Sequence, residues 1–359
     1  MSAARRHEDP EVAVAAVRAL RRRELFRTAV AELTGVAEVD DAGVALSDIA
    51  AATIAGALEI ATRAVEAGRG RALPTRFLVV AMGRFGGGEL GFASDADVLF
   101  VHDPLPGSAE RDAHEAALAV AGELRRLLMI PTPDPVLEVD ASLRPEGRNG
   151  PLVRTIASYA AYYERWSSAW EAQALLRAVP VAGDLELGER FVALIDPLRY
   201  PVGGIGEADV REIRRLKARM EAERLPRGAD PGLHTKLGRG GLSDVEWVAQ
   251  LITLRHGHEV PALRTTRTLP ALVGAADAGL LDAADAEHLS AAWRIATRVR
   301  DAVMLVRGKA SDMIPTDAAD LAAVSQVLGY PPVDSGALLD DYGRVTRRAR
   351  GVMERVFYA

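Results

Sequence analysis

The segment Ser94-Asp95-Ala96-Asp97 sets two carboxylates two positions apart at the head of an apolar run, Val98-Leu-Phe-Val101. Side chains at i and i+2 of a strand share a face, so Asp95 and Asp97 stand side by side. Like charges at the end of a buried strand repel each other and are poorly solvated unless a cation neutralises them. Aspartate oxygens suit Mg²⁺, which keeps part of its water and completes its shell with phosphate oxygens. Asp140 closes a second apolar run, Val136-Leu-Glu-Val-Asp140, and Glu138 shares its face by the same period. Two acidic groups from one strand and a third from its neighbour are what a two-metal phosphoryl-transfer site requires. Asp140 also admits a structural reading, as a strand-end residue bonding the turn at Leu143–Arg144.

Between the first apolar strand and the paired aspartates lies Gly83-Arg-Phe-Gly-Gly-Gly-Glu-Leu-Gly91. Gly86, Gly87 and Gly88 would let backbone N–H groups approach a triphosphate closely, with Arg84 adding charge. The same glycines fit a flexible hairpin. No G-K-[ST] follows and G-x-G-x-x-G is missing, so this is not a P-loop. Arg144 could neutralise pyrophosphate through its fork of donors, or pair with Glu138 or Glu146. Lys236 and Arg239 would reach phosphates if the C-terminal half closes over the site.

Other groups have readings that need no ligand. Gln173 and Arg177 are four apart on one helix and form the plausible pair there, with Glu171 slightly off their line. Ser243 and Glu246 fit a capping box ahead of an apolar run. The basic helix carrying Arg211, Arg214, Arg215, Lys217 and Arg219 reads as a solvated face. No histidine is assigned a catalytic role, since H-E-x-x-H is missing and His256 and His258 are two apart.

The elements that must hold these groups follow from periodicity. Phe77–Met82 and Asp95–Val101 read as strands, 108–129 as a helix and Val136–Asp140 as a third strand, which makes a small α/β unit. Helical patterns over 11–34 and 47–68 precede it. From about residue 155 the chain is nearly all helical and reads as a bundle. The expected division is 1–70, 71–184 and 185–359. The chain has 359 residues, 49% hydrophobic and 26% charged, with a net charge of −6. That is globular composition without a general attraction to nucleic acid. No cysteine is present, which excludes disulfides, thiolate zinc and cysteine nucleophiles. No signal-peptide core and no run of about 18–20 uncharged apolar residues are seen, so a soluble cytoplasmic protein without a membrane or nucleic-acid partner is expected.

With these motifs in view, the chain resembles the DNA polymerase β-like nucleotidyltransferase superfamily, with Met82-Gly83-Arg84 at its glycine signature. Arg84 stands where a small residue is usual. The segments Ala81–Asp97, Glu138–Gly147, Trp170–Arg177 and His234–Trp247 are similar, in order, to those of the glutamine synthetase adenylyltransferase family. Ser142 departs from an Arg frequent there. The resemblance implies an α+β fold, a small nucleotidyltransferase domain with a mixed sheet, preceded by helices and followed by a helical bundle. It implies that Asp95, Asp97 and Asp140 hold two Mg²⁺ ions, with ATP as substrate. It implies nucleotide contacts from Gly83, Arg84, Gly86, Gly87, Ser94, Arg144 and Lys236, glutamine synthetase as protein substrate, and PII signalling protein as a possible partner. Family enzymes carry two homologous halves, one adding AMP and one removing it. Phe100–Asp103, Trp170–Gln173 and Leu242–Glu246 look more like the adding, C-terminal half. The removing half and a non-catalytic module binding glutamine synthetase or PII are the alternatives.

Overall fold

Asp9 starts the first helix by accepting from the amides of Glu11 and Val12, and proline at the first turn fits because no partner for its missing N–H is needed. In the computed structural model, which describes residues 4–166, 168–226, 228–331, 334 and 336–358, this helix is α1 (Pro10–Leu33). The second, α2 (Val39–Arg69), stops at Gly70, whose φ of 65° is left-handed. It begins eight residues before the expected start because its first turns are held by tertiary packing. A Cβ on Gly43 would lie 3.3 Å from Glu89 Cα, and Ser47 Oγ accepts from the Leu90 amide. An 18-residue window of α2 is long and apolar enough to cross a membrane, with mean hydropathy 1.6. Its apolar residues enter the core shared with α1 and one sheet face.

The sheet follows: β1 (Thr75–Ala81), a helical turn α3 (Gly83–Gly86), β2 (Ala96–Pro104), α4 (Glu110–Met129), β3 (Val139–Asp140) and β4 (Val153–Thr155). Then come α5 (Ile156–Trp166), α6 (Ala169–Leu175), β5 (Val179–Gly183) and α7 (Leu185–Arg199). The order is β3-β2-β1-β5, with β4 also on β2. β1 is antiparallel to β2 and β5, while β2 is parallel to β3 and β4, so the five-stranded sheet is mixed. β1 and β2 read as unbroken apolar runs because both faces are covered. Phe77, Val79, Val98 and Phe100 face α1, α2 and α4, whereas Leu78, Val80, Leu99 and Val101 face Tyr159, Phe191 and Ile195 of α5 and α7.

The remainder is helical: α8 (Glu207–Arg224), α9 (Leu242–His256), α10 (Thr268–Asp277), α11 (Ala283–Arg307), α12 (Ala318–Val327) and α13 (Gly336–Phe357). These pack around a third core with Trp293, Leu289, Val248 and Phe357 at its centre. The mostly helical α+β architecture is the one expected.

Three local readings need correction. The third strand is two residues long, since only Val139 and Asp140 enter the ladder behind Pro131, Pro133 and Pro135. The box at Ser243 is not formed, because α9 starts two residues earlier with Gly241 as its cap. Asp244 reaches back to the Gly240 amide at 2.8 Å, and Ser243 meets Lys217. The basic face of α8 is not wholly solvated either. Lys217 is fully buried, 2.7 Å from Asp244 and 3.0 Å from Glu221.

Candidate active site

Register brings the acidic residues together. Asp97 pairs with Asp140 across the parallel β2–β3 ladder, and the Ala96 amide donates to Glu138 O, fixing the strand ends. Asp95 lies just before β2 on the same face as Asp97. One carboxylate oxygen from each of Asp95, Asp97 and Asp140 lies within 4.8 Å of the others. Asp95 is exposed and the other two are half-buried, so the cluster opens to solvent. Glu138 is exposed and stands outside the trio.

Burial pushes the Asp97 carboxyl up to about 7, helped by repulsion from Asp95 and Asp140 and opposed by Lys236. The fold thus holds like charges together at a cost to itself, with Lys236 as a facing cation. An all-oxygen donor set bearing up to three negative charges fits a hard divalent cation. Asp140 also accepts from the Ser142 amide at 2.7 Å, just ahead of the Leu143–Arg144 turn it was expected to bond, and the Arg144 amide donates to Ala141 O instead.

The glycine signature has a steric cause at its first position. The Met82 amide donates to Asp97 O, which lays the end of β1 beside the trio. Gly83 follows with φ of 53°, and a Cβ there would lie 2.5 Å from Asp97 Oδ2. Only glycine fits a left-handed conformation against that carboxylate. Gly86 and Gly87 serve a different purpose: they are buried, and a Cβ on Gly86 would sit 1.7 Å from Arg177 O. They allow close packing against the end of α6 rather than forming an open anion cradle.

The other residues assigned to nucleotide contact divide sharply. Lys236 is exposed in the loop before α9, which is shaped by the amides of Lys236 and Leu237 donating to His234 Nδ1. Ser94 Oγ accepts from the Gly91 amide and closes the turn leading to Asp95. Arg84 is directed inward instead of toward the trio. Its Nε donates to Glu89 O, its Nη1 lies 3.8 Å from Glu246, and it stacks 5.6 Å from the Trp293 ring centre. Arg144 pairs with neither Glu138 nor Glu146. It donates to the carbonyls of Ala141, Arg148 and Gly150, bracing the loop behind Asp140, while Glu146 is taken by Arg154.

The expected Gln173–Arg177 pair is also replaced. Arg177 donates to Glu89 at 2.8 Å and to Thr268, while Gln173 donates to Gln250 at 2.7 Å. These contacts join the glycine turn and α6 to the bundle. Spacing along one helix could not reveal them, because Glu89 and Arg177 are 88 residues apart. Beside Gly83 lies a cavity of about 400 Å³, walled by Leu143, Trp170, Gln173, Trp247 and Gln250 among others.

A mixed sheet whose paired strands bring three carboxylates together beside a glycine turn defines a nucleotidyltransferase domain. The model of the glutamate-ammonia ligase adenylyltransferase family matches residues 2–194, and that of the PII-uridylyltransferase family matches 211–357. This chain belongs to the glutamate-ammonia ligase adenylyltransferase family. It is 59% identical to the bifunctional glutamine synthetase adenylyltransferase/adenylyl-removing enzyme of Streptomyces coelicolor, over 100% of this chain and 37% of the relative. The proteins of the same name from Mycobacterium avium and Mycobacterium tuberculosis are 54% and 52% identical, over 99% of this chain and 36% of each relative. The chain therefore spans a little over a third of the length of these relatives.

Proposed function

We propose that this chain is the adenylylating unit of such an enzyme, transferring AMP from ATP to a tyrosine of glutamine synthetase and releasing pyrophosphate. The observation that carries the reading is the convergence of Asp95, Asp97 and Asp140 beside Gly83. The similarity of Phe100–Asp103, Trp170–Gln173 and Leu242–Glu246 to the adding half supports the direction. The bundle's match to a PII-modifying family supports PII as a partner of residues 211–357.

Asp95, Asp97 and Asp140 would hold two Mg²⁺ ions, which supply charge neutralisation on the triphosphate and make the tyrosine hydroxyl more acidic. The protein's own groups do the rest. Lys236 meets negative charge arriving at Asp97, and Gly83 lets the nucleotide approach without a side chain in the way. A free tyrosine titrates near pH ~10, so a base is useful at neutral pH. Asp140, held by the Ser142 amide through Oδ1, takes the phenolic proton. The tyrosine oxygen forms its bond to the α-phosphorus as the bond to the β-phosphate bridging oxygen breaks, and pyrophosphate leaves.

The direction is tested with purified protein in two parallel reactions. One contains ATP and unmodified glutamine synthetase; the other contains phosphate and the adenylylated form. The proposal expects label to enter glutamine synthetase in the first and AMP-tyrosine to persist in the second. Loss of AMP in the second without transfer in the first assigns the removing activity instead.

A further inference from the structure

We infer that the outer face of α1 pairs with the α1 of a second copy of this chain, antiparallel, about a two-fold axis near Glu24 and Leu25. The inference is independent of the reaction proposed above. The inner side of α1 belongs to the protein's own core, where Ala13, Val14 and Val17 are buried and α2 and α4 pack against the helix. Arg18 and Arg21 fix it in place by donating to the carbonyls of Asp134 and Pro135 at 2.7 and 3.1 Å. On the outer side Ala16, Ala19, Arg23, Phe26, Val30 and Leu33 follow at alternating steps of three and four, the spacing of a coiled-coil seam. At 3.6 residues per turn this stripe lies opposite Val14 and Val17. Phe26 is 69% exposed, with Val30 and Leu33 exposed beside it. A hollow of about 680 Å³ opens on the same face, lined by Ala16, Ala19, Leu20 and Phe26 together with Arg6 and His7. A protruding phenyl ring next to a hollow walled by small side chains makes a self-complementary patch, as a two-fold interface requires.

Size and charge select the register. The antiparallel pair sets Ala16 against Leu33 of the partner subunit, Ala19 against Val30 of the partner subunit and Arg23 against Phe26 of the partner subunit. Small thus faces large in the apolar layers. The Arg23 guanidinium, which meets Glu24 at 3.1 Å on the surface, gains an aromatic face. Arg27 falls beside Leu20 of the partner subunit, which its aliphatic stem covers. A parallel pair in register would set Ala19 on Ala19 and Arg23 on Arg23, leaving voids and like charges together. Sliding the antiparallel pair by one heptad would bring Arg22 against Arg22. The chosen register avoids both.

The test is sedimentation equilibrium of the whole chain over a range of concentrations. One helix pair lies at the small end of specific interfaces, so a dissociation constant on the order of 10 μM is expected. Phe26→Asp should weaken the dimer at least about tenfold, because it removes the central anchor. Its thermal midpoint, measured where wild type is monomeric, should not change, since Phe26 lies on the surface. The chain has no cysteine, so introduced ones report the register. Ala19→Cys and Val30→Cys chains, each alone, should stay uncrosslinked under mild oxidation and should cross-link when mixed. Cross-linking of each variant with itself gives a parallel seam and overturns the proposal. So does a mixture that dimerises without cross-linking, or a Phe26→Asp chain that dimerises as wild type does, which places the contact elsewhere. A wild type still monomeric at about 100 μM assigns the face to a different protein segment, and the proposal falls.

Discussion

Two clusters of charge in this molecule are built on opposite rules. In the sheet, Asp95, Asp97 and Asp140 converge at an open site, and mutual repulsion joins burial in pushing Asp97 up to about 7. At the junction with the bundle, charges are buried far more deeply but matched in sign. Glu89 and Arg177 have side chains only 4% and 6% exposed and meet at 2.8 Å. Inside the bundle, Lys217 of α8 and Asp244 of α9, each 1% exposed, meet at 2.7 Å, with Arg350 of α13 completing the set around Asp244. Burial alone therefore does not mark function. A mismatch of charge kept at an accessible strand end does, because it answers to a cation from outside, whereas a matched buried set answers to its own partners.

That contrast predicts opposite outcomes for substitutions in the two clusters. Asp97→Asn should lower AMP transfer on the order of 10³-fold or more, since several kcal/mol of charge stabilisation are removed. Its thermal midpoint should stay level or rise, because a disfavoured ionisation is gone; a fall of several degrees would place Asp97 among the structural residues. Arg177→Met should do the reverse, costing about 3–5 kcal/mol in denaturant unfolding by leaving Glu89 buried without its partner. Restoring most of that loss in the Arg177→Met/Glu89→Leu double variant would show that the unpaired charge, not lost packing, was responsible.

Gly83→Ala lies between the two clusters in character. It should cost about 1–2 kcal/mol of stability for its left-handed backbone and displace Asp97, so transfer should fall at least tenfold. Activity retained at wild-type level would show that Asp97 yields without consequence. The smallest effect is expected at Glu32, whose carboxyl is pushed up to about 7 by burial and by nearby Asp301, with one oxygen buried and unpartnered. A raised carboxyl value means that ionisation weakens the fold. The penalty grows as pH rises from the usual carboxylate range and is complete above about 7. Glu32→Gln should therefore be more stable than wild type by about 1 kcal/mol at pH 8, after allowance for solvent screening, with the gap shrinking toward pH 5. Thermal melts at the two pH values check the sign.

The sequence showed the acidic site better than its surroundings, for a physical reason. Asp95 and Asp97 share a face by strand period, and an apolar run ending in Asp140 placed the third group on a neighbouring strand. Only the length of that strand was overestimated, since three prolines precede it. The junction was hidden because its pairs join distant segments. Arg177 finds Glu89 rather than Gln173, and Gln173 finds Gln250. Asp244 outcompetes Glu246 for the backbone at the start of α9 because Lys217 and Arg350 hold it there. Arg84 and Arg144 carried charges near the right motifs, yet their guanidiniums satisfy Glu89 O and the 141–150 loop. Local spacing reports which side chains share a face, and long-range packing decides which of them are free.

Manganese binding tests the central claim most directly, by electron paramagnetic resonance in the presence of a non-hydrolysable ATP analogue. Two Mn²⁺ ions per chain are predicted for the wild type, with loss of at least one in Asp140→Asn and of both in Asp95→Asn/Asp97→Asn. Equal Mn²⁺ uptake by all three proteins would contradict the account.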